Sequence, residues 1–401
     1  MTVRRVYADE KSTDIILAAQ LGWAAVPTEQ RPTPCSKPVI VAIDVAPLLS
    51  PLTGVGAAVE QMTIALAREV GISLKPYVCS FRGSLQPGTT RLPLPAAVAQ
   101  RLWARSKWPR IDRWLEPAQV IHGTNYTVAP SALPRVVTVY DCWFLRNPTQ
   151  ANPNVARAGR LLRRAIETGS TVHASSQATA DAVRDLFGAP KVEVIALAPL
   201  PLHEADSRST APVAELVGVP FILAVGTLER RKNLPRLVAA FAQIASANPD
   251  VRLALAGADG DDRGAINSAI DGLHPNARAR VLFTGRIDED AKQWLLRHAQ
   301  VLAYPSLDEG FGFPLLEAMA YNLPVVASTA GSIPEVAGDA ALLVAPHDVT
   351  ALAEALHRSL TDSSARHRLI EAGKQRLTNY SWADTASRLS DLYRRLALEE
   401  S

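Results

Sequence analysis

The chain has 401 residues and a formal net charge of +3; 48% of its residues are hydrophobic and 20% are charged. This length exceeds the usual size of one hydrophobic core, so we expect two domains, and the composition argues against a disordered chain. The net charge is too small to indicate nucleic acid as a partner.

Three cysteines, Cys35, Cys79 and Cys142, are widely spaced along the chain. Their spacing matches neither a disulfide framework nor a metal site, so we interpret them as buried free thiols of a cytoplasmic protein. No apolar run reaches the length of a membrane-spanning helix. The apolar stretch at 15–26 follows three acidic residues and makes a poor signal peptide.

Apolar runs of strand length alternate with helical stretches from Val39 onward. Continuous runs of Val, Ile, Leu and Ala separated by helices indicate parallel sheets that helices cover on both faces. The predicted strands of the first half are 39–45, 73–81, 119–122, 136–140, 171–174 and 192–197, and those of the second half are 221–225, 252–256, 281–284, 301–304, 324–327 and 341–344.

The apolar pattern lapses after the sixth predicted strand, where Pro, Ser, Asp and Thr cluster, so we predict an interdomain linker at 201–219. The fold class is therefore α/β, with two Rossmann-like, doubly wound parallel-sheet domains at 38–200 and 220–380. Residues 1–37 form an N-terminal extension of unknown role. Ligands of such sheets bind beyond the carboxyl ends of the strands, so we expect the site in the cleft between the domains.

Two glutamates, Glu309 and Glu317, lie eight positions apart and flank two glycines and a proline. Pro314 lacks an N–H group and suits a first helical turn, so we predict a helix at 315–321, with Glu309 in the loop before it and Glu317 on its first turn. The free N–H groups and partial positive charge at the helix start favour a phosphate, and the glycines let backbone amides approach a ligand. The two acids can then reach opposite ends of one extended ligand.

A second motif, Gly226-Thr-Leu-Glu-Arg-Arg-Lys-Asn-Leu234, follows the strand predicted at 221–225. We predict that Asn233 is the N-cap of the next helix. Three cations at a helix start oppose its dipole, and a bound anion relieves that conflict, so Arg231 and Lys232 are candidates to clamp a diphosphate. The alternative is a solvated basic loop.

These motifs resemble those of the retaining GT-B glycosyltransferases of the "group 1" class, glycosyltransferase family 4. The resemblance extends from Val39 to the C-terminus and also includes the runs 284–287 and 324–336. It implies a GT-B fold and a last helix, in 381–401, that crosses back to the first domain. The polar residue Ser381 is a suitable N-cap for that helix.

The resemblance also implies roles for the two motifs. Arg231 and Lys232 bind the donor diphosphate, Glu309 holds the transferred sugar, and Glu317 bonds the ribose hydroxyls. Some relatives have an arginine where this chain has Thr227, so the cationic clamp depends on Arg231 and Lys232. The donor-binding residues that the resemblance implies, besides Glu317, are Thr227, Arg286, Ile287, Gly310, Phe311, Gly312 and Phe313.

The glycine loop at 52–56 half-matches a dinucleotide fingerprint, but Val59 stands where the third glycine is needed. The second predicted strand also ends without the acid that binds an adenosine ribose, which argues against a nicotinamide site. The resemblance implies that Gly54 and Gly56 lie over the donor phosphates. The alternative is an ordinary tight turn between a strand and a helix.

His122 and Asp141 stand at the ends of two predicted strands, and we expect both to open into the cleft. Many relatives have a histidine where this chain has Tyr140. We therefore predict that Asp141 binds the acceptor and handles its proton, with His122 as a further catalytic candidate. A structural role for His122 is the alternative.

Basic residues and tryptophans alternate in the run 101–114. Such a run suits a membrane interface with anionic lipid, and relatives often use lipid-linked acceptors at the inner membrane. The alternative is a helix whose tryptophans pack inward. The residues of this predicted membrane or acceptor patch are Arg101, Trp103, Arg105, Lys107 and Trp108.

The acidic run 288–290 has the spacing of a metal-binding pair, but we interpret it as the start of a helix, where acids suit the dipole. The resemblance implies that protein cations replace a metal at the leaving diphosphate. We therefore expect neither a metal nor another cofactor.

The sequence thus predicts a cytoplasmic transferase, at the inner face of the membrane, that moves a hexose from a nucleotide diphosphate sugar with retention. GDP-mannose is the first choice of donor, and UDP-glucose and deoxysugar nucleotides stay open. The expected acceptor is a hydroxyl of a glycan or polyprenyl-linked glycan in polysaccharide or cell-envelope synthesis. The alternatives are a sugar-nucleotide epimerase and a non-catalytic subunit that binds the donor.

Overall fold

The computed structural model describes residues 37–49, 54–81, 83–150, 153–188, 191–201 and 211–399. Predictions that concern 1–36, including Cys35, and residues 202–210 of the predicted linker lie outside the described residues. The thiols of Cys79 and Cys142 are free.

The first sheet has seven parallel strands in the order β3-β2-β1-β4-β5-β6-β7. The order reverses between β1 and β4, which defines a doubly wound sheet with a ligand crevice at that edge. Its strands are β1 Val39–Asp44, β2 Ile72–Val78, β3 Thr90–Arg91, β4 Val120–Gly123, β5 Arg135–Val139, β6 Thr171–Ala174 and β7 Val192–Val194.

The second sheet has six parallel strands in the order β10-β9-β8-β11-β12-β13, again with a reversal, between β8 and β11. The predicted fold class is confirmed: both sheets are doubly wound. The strands are β8 Phe221–Val225, β9 Arg252–Ala256, β10 Val281–Gly285, β11 Val301–Tyr304, β12 Val325–Ser328 and β13 Ala341–Val344.

Helices cover both faces of each sheet. In the first domain they are α1 Gly54–Leu66, α2 Ala96–Trp103, α3 Asp112–Leu115, α4 Trp143–Arg146, α5 Pro153–Glu167 and α6 Gln177–Phe187. In the second they are α7 Leu234–Ile244, α8 Arg263–Asp271, α9 Pro275–Arg278, α10 Glu289–His298, α11 Phe313–Ala320, α12 Ile333–Ala337, α13 Val349–Thr361 and α14 Ser363–Leu377, and α15 Trp382–Leu398 follows.

Strand prediction succeeded because the central strands are buried on both faces. Every residue of β11 and β12 is buried, and so are four of the five residues of β8. A strand covered on both sides needs a continuous apolar run, which is visible in the sequence. Two predictions were too long: the second strand ends at Val78, and β7 ends at Val194. The two-residue edge strand β3 was missed because it has no apolar run.

The last helix, α15, belongs to the core of the first domain. Its apolar face, including Leu389, Leu392 and Tyr393, is buried in one cluster with Val41 and Ile43 of β1. The prediction of its N-cap is confirmed, because Ser381 accepts a hydrogen bond from the N–H of Asp384 at 3.0 Å. The chain thus returns from the second domain to the first, where α15 packs against the first sheet.

Candidate functional site

A cavity of about 240 Å³ lies between the two domains. It stands at the carboxyl ends of the parallel strands, because Asp141 follows β5 and Glu309 follows β11. Its lining includes Asp141, Trp143, Arg146 and Thr179 from the first domain and Asp308 and Glu309 from the second.

Glu309 binds two cations in this region. Its Oε1 lies 2.7 Å from Nζ of Lys232, and its Oε2 lies 2.5 Å from a terminal guanidinium nitrogen of Arg231. Burial alone raises the pKa of Glu309, but Arg231 and then Lys232 outweigh burial and lower it to about 2. The structure therefore brings together the three residues that the two sequence motifs predicted to act on one ligand.

Arg231 and Lys232 lie in a short 3-10 helix, Arg230–Lys232, directly after β8. Lys232 is only 9% exposed, so the alternative of a solvated loop is wrong for this residue. Its Nζ also donates to the hydroxyl of Tyr304 at 3.0 Å and lies 4.6 Å from the centre of that ring. Tyr304 was missed because its apolar run, at the end of β11, indicated only a strand.

Asn233 precedes α7, as predicted, but its side chain does not cap that helix. It has a left-handed backbone with φ of 58°, and its amide nitrogen donates to the carbonyls of Pro305 at 2.9 Å and Pro346 at 2.7 Å. The predicted N-cap position is therefore confirmed, but the side chain makes no capping hydrogen bond. Asn233 instead ties the loop of the cationic motif to the loop that carries Glu309.

Helix α11 begins at Phe313, two residues before the predicted start, and ends at Ala320. Its N-cap, Gly312, has a φ of 94°, a conformation that favours glycine. Glu317 consequently lies on the second turn, and the prediction that placed it on the first was wrong.

Glu317 is buried and its Oε1 accepts a hydrogen bond from Nζ of Lys292 at 2.8 Å. Lys292, on α10, also lies 3.0 Å from Glu289. Burial raises the pKa of Glu317, and Lys292 offsets part of that rise. Lys292 was missed by sequence reasoning, although its position three residues after Glu289 is the spacing of a helical ion pair.

Gly310 contacts the first domain. A Cβ atom at this position would lie 1.5 Å from the carbonyl oxygen of Tyr140, so the two domains approach each other here through a glycine. The Gly310 carbonyl accepts hydrogen bonds from the hydroxyls of Ser176 at 2.6 Å, Thr179 at 3.1 Å and Ser175 at 3.2 Å. Glycine at this position therefore serves the contact between the domains, and its approach to a ligand stays a prediction.

Phe311 and Phe313, which alternate with Gly310 and Gly312 in the sequence, pack against other side chains of the protein. Phe311 is 4% exposed, and its ring contacts those of Phe313 and Tyr380 edge-on, with centres 5.2 and 5.9 Å apart.

In the first domain, the predicted turn residue Gly54 begins α1 and Gly56 lies within it. Residues 50–53 of that loop lie outside the described residues.

His122 does not open into the cleft, and that prediction was wrong. The side chain is fully buried; Nδ1 lies 2.6 Å from the hydroxyl of Tyr393 on α15, and Nε2 lies 2.7 Å from the hydroxyl of Thr138. Burial lowers the pKa of His122 well below its ordinary value. The residue lies inside β4 under the last helix, so its contacts are those of a structural residue.

Asp141 lines the cavity, as the sequence predicted. Its Oδ1 accepts a hydrogen bond from the N–H of Trp143 at 3.1 Å. Burial raises the pKa of Asp141, Arg231 lowers it, and Glu309 raises it further. Asp308, which sequence reasoning missed, lines the same cavity, and burial and then Asp141 raise its pKa to about 6.

The described lining of this cavity includes none of the ten predicted donor-binding residues. Thr227 follows β8 and is exposed, and Arg286 follows β10 and is also exposed. Ile287 is partly buried against the core of the second domain.

The predicted membrane or acceptor patch divides into two parts. Trp103 is buried, and its ring N–H donates to the carbonyl of Pro109 at 3.0 Å, so the alternative of inward packing is correct for it. Trp108 is 69% exposed. The basic residues Arg101, Arg105 and Lys107 are exposed as well. Among the described residues, no helix combines the length and apolar character that crossing a membrane requires.

The acidic run at 288–290 begins a helix, as predicted. Asp288 is the N-cap of α10 and accepts a hydrogen bond from the N–H of Ala291 at 2.9 Å. Within the described ranges, His, Cys, Asp and Glu side chains do not gather in threes as a metal site requires.

The second domain matches the model of a known family. Residues 209–376 match the family described as "Glycosyl transferases group 1". The chain is 25% identical over 377 residues to O-antigen chain mannosyltransferase B of Escherichia coli, covering 87% of this chain and 98% of that protein. It is 32% identical over 200 residues to a D-inositol 3-phosphate glycosyltransferase of Corynebacterium urealyticum, covering 47% of each chain.

Solved structures share the arrangement of both domains. A sucrose-phosphate synthase from Thermosynechococcus elongatus superposes with a TM-score of 0.68 at 23% identity, covering 90% of this chain and 100% of that chain. WaaG, a glycosyltransferase involved in lipopolysaccharide biosynthesis, superposes with a TM-score of 0.65 at 16% identity, covering 88% and 99%. The likeness confirms the predicted GT-B fold.

Proposed function

Because this chain belongs to the group 1 glycosyltransferases and has the GT-B fold, we propose that it transfers a hexose from a nucleotide diphosphate sugar with retention of configuration. The observation that carries the proposal is the convergence of Arg231 and Lys232 on Glu309 at the interdomain cavity. Two largely desolvated cations held in place by one carboxylate suit a leaving group that develops negative charge.

The proposed reaction is an attack on the donor face from which the diphosphate departs. The bond between the anomeric carbon and the phosphate oxygen breaks, the acceptor oxygen bonds to that carbon, and the acceptor proton passes to a donor phosphate oxygen. Arg231, Lys232 and the start of α11 stabilise the leaving charge. We propose that no metal ion takes part, so activity should survive EDTA.

Glu309 orients the sugar in this proposal and does not attack it. Both of its carboxylate oxygens are engaged in ion pairs, at 2.5 and 2.7 Å, and its pKa of about 2 makes it a weak nucleophile. Asp141 faces the same cavity from the first domain and is proposed to orient the acceptor hydroxyl. The catalytic groups therefore come from both domains.

Mannose is the proposed sugar and GDP-mannose the proposed donor. The names of two similar proteins, O-antigen chain mannosyltransferase B and the serotype-specific mannosyltransferase WbdA, support this choice. Thermal-shift measurements with GDP-mannose, UDP-glucose and deoxysugar nucleotides test it. The largest stabilisation should come from GDP-mannose, because a ligand that binds the folded state raises the unfolding temperature.

The proposed acceptor is a hydroxyl of a glycan, free or linked to a polyprenyl lipid, in cell-envelope polysaccharide synthesis. The name of the O-antigen relative supports this class. The exposed Trp108, with its basic neighbours Arg105 and Lys107, supports peripheral contact with anionic lipid on the cytoplasmic face of the membrane.

Nucleotide release with and without acceptor tests the proposed activity. A transferase releases nucleotide when acceptor is present, a sugar-nucleotide epimerase converts the donor alone, and a non-catalytic subunit converts nothing. Glu309→Ala and Lys232→Ala should abolish release. Lys374→Ala is the matched control, because Lys374 is exposed on α14 and pairs with Glu371 one turn away.

A further inference from the structure

The short helix α12 holds the backbone of Glu309. The N–H of Ser332, the N-cap residue of this helix, donates to the Glu309 carbonyl at 2.9 Å. The neighbouring Gly331 has a φ of 56°, and a Cβ atom there would lie 2.5 Å from the same carbonyl oxygen. The two backbones are therefore in direct contact, and the position of Glu309 depends on α12 as well as on its two ion pairs.

Arg376, near the end of α14, fastens the other end of α12. Its Nε donates to the carbonyl of Val336 at 2.8 Å, and a terminal nitrogen donates to the carbonyl of Glu335. Both carbonyls belong to the last turn of the helix, where a helix runs out of N–H groups to bond them. One planar guanidinium that bonds both carbonyls fixes this helix end.

Tyr380 joins this arginine to the loop of Glu309. Its hydroxyl accepts a hydrogen bond from Arg376 at 3.0 Å. Its ring packs edge-on against that of Phe311, two residues after Glu309, with the ring centres 5.9 Å apart. Because Phe311 is buried and interiors are closely packed, a shift of the Tyr380 ring displaces Phe311 as well.

Tyr380 lies where the chain passes between the domains. Two residues later, Trp382 begins α15 and packs against the apolar cluster of α11 and α12 as well as the cluster under α15. Its ring N–H donates at 2.9 Å to the carbonyl of Pro199, at the end of the first domain. The contacts of Tyr380 and Arg376 thus connect this crossing point to the segment that carries Glu309.

We propose that Arg376 and Tyr380 are positioning residues for the sugar of the donor. Arg376 holds α12, which bonds the backbone of Glu309, and Tyr380 holds Phe311, on the other side of that residue. Neither side chain belongs to the described lining of the interdomain cavity, so both act through the backbone at 309–311. This inference rests on the proposed role of Glu309 in holding the sugar.

The cations proposed to bind the diphosphate have further partners of their own. Lys232 donates to the hydroxyl of Tyr304 at 3.0 Å, and Arg231 lies 3.5 Å from Glu229. These contacts are separate from those that hold α12, so a change at Arg376 leaves them in place. Binding of a nucleotide without its sugar should therefore change less than binding of the sugar nucleotide.

Isothermal titration calorimetry of the full chain with GDP-mannose and with GDP tests this difference. The two ligands share the nucleotide, and partial unfolding weakens both equally, so the ratio of their dissociation constants isolates the sugar. In Arg376→Gln we expect GDP-mannose to lose about fivefold relative to GDP, which corresponds to about 1 kcal/mol. Arg368→Gln is the matched control and should keep the wild-type ratio, because Arg368 is exposed on the same helix and bonds Ser364 one turn away.

Two variants of Tyr380 separate its ring from its hydroxyl. Tyr380→Phe keeps the ring against Phe311 and should keep the ratio within about twofold of wild type, whereas Tyr380→Leu should lower it about fivefold. Thermal unfolding checks that each variant is folded. An unchanged ratio in folded Arg376→Gln, or equal ratios in the two Tyr380 variants, would overturn the proposal.

Hydrogen exchange at the Ser332 amide tests the positioning apart from the proposed function. Because this N–H bonds Glu309, its exchange should accelerate about threefold or more in Arg376→Gln and stay unchanged in Arg368→Gln. Unchanged protection in Arg376→Gln would overturn the positioning role whichever ligand binds. Accelerated exchange in a protein that does not bind GDP-mannose would support the positioning and refute the proposed donor.

Discussion

The carboxylate of Glu335, in the second domain, accepts a hydrogen bond at 2.9 Å from the backbone N–H of Gln177, in the first. It also accepts one from the N–H of Ala178 at 3.2 Å, so it lies at the positive end of α6. The Gly310 carbonyl is bound by the hydroxyl of Ser176 at 2.6 Å on the same helix start. These contacts join the two domains at the edge of the cavity.

Replacing Glu335 should loosen this contact between the domains. In Glu335→Gln the carboxylate charge at the helix start is lost, which costs about 0.5–2 kcal/mol. Hydrogen exchange at the amides of Gln177 and Ala178 should accelerate accordingly. Glu371→Gln, on the exposed face of α14, is the control and should leave that exchange unchanged. Identical protection in wild type and Glu335→Gln contradicts the interdomain role of Glu335.

Gly310→Ala should separate the domains. The added Cβ would lie 1.5 Å from the Tyr140 carbonyl oxygen and 2.8 Å from Cβ of Asp141, and backbone at that distance has to move. We expect a larger radius of gyration by small-angle X-ray scattering and a loss of nucleotide release. Gly264→Ala is the control, because nothing lies within 4 Å of the Cβ built there. Unchanged scattering together with full activity would show that the domains do not need this contact.

Tyr393→Phe should destabilise the first domain without touching the cavity. The hydroxyl of Tyr393 bonds the buried His122 at 2.6 Å, and its loss leaves a buried ring nitrogen without that partner. The expected cost is about 1–3 kcal/mol in the free energy of unfolding, measured by urea denaturation. Leu398→Ala on the same helix is the control, since Leu398 is 76% exposed. Equal midpoints for wild type and Tyr393→Phe would contradict the assigned contact.

The stability contributed by Glu309 should depend on pH in the acid range. Its pKa falls from 4.5 in the unfolded chain to about 2 in the folded protein. The contribution, on the order of 3 kcal/mol, is therefore complete above the unfolded value and is lost as pH falls toward the folded value. The stability gap between wild type and Glu309→Gln should narrow as pH falls below 4.5.

Urea denaturation at a series of pH values measures this gap. Glu371→Gln is again the control, because Glu371 is 65% exposed and its gap should change little. A gap between wild type and Glu309→Gln that stays constant or widens in acid would mean that the two ion pairs of Glu309 do not stabilise the fold.

Trp108 should mediate contact with anionic vesicles if the predicted membrane or acceptor patch binds lipid. Its side chain is 69% exposed, and it directly follows a segment with the exposed cations Arg105 and Lys107. Trp108→Ser should reduce co-sedimentation at low salt, because burying an indole ring in the interface is favourable. Val217→Ser, which alters a 62% exposed side chain in the second domain, is the control. If the wild-type protein does not bind anionic vesicles at low salt, the proposed contact with the membrane is wrong.

The sheets could be predicted from sequence because they are buried on both faces. In a strand such as β11 the requirement is local, since every residue must be apolar, and the run is visible without knowing its neighbours. The proximity of Arg231 and Lys232 to Glu309 could also be predicted, because both motifs follow central strands whose carboxyl ends lie at the same edge of the second sheet.

Contacts between distant parts of the chain could not be predicted in the same way. The need for glycine at 310 comes from the Tyr140 carbonyl in the other domain, and no local pattern reports it. His122 ends a predicted strand, which suggested an open position, but α15 returns from the end of the chain to cover it. The hydroxyls that donate to the Gly310 carbonyl had a local signal, because Ser176 is the N-cap of α6 and accepts a hydrogen bond from the N–H of Thr179.

Proton NMR of the reaction product tests the central claim most directly. The full chain is incubated with GDP-mannose and a neutral mannoside acceptor, and the anomeric signal of the new linkage is compared with that of the donor. Attack on the face that the diphosphate leaves, assisted by Arg231 and Lys232, predicts a product with the anomeric configuration of the donor. A product with the opposite configuration would contradict this mechanism.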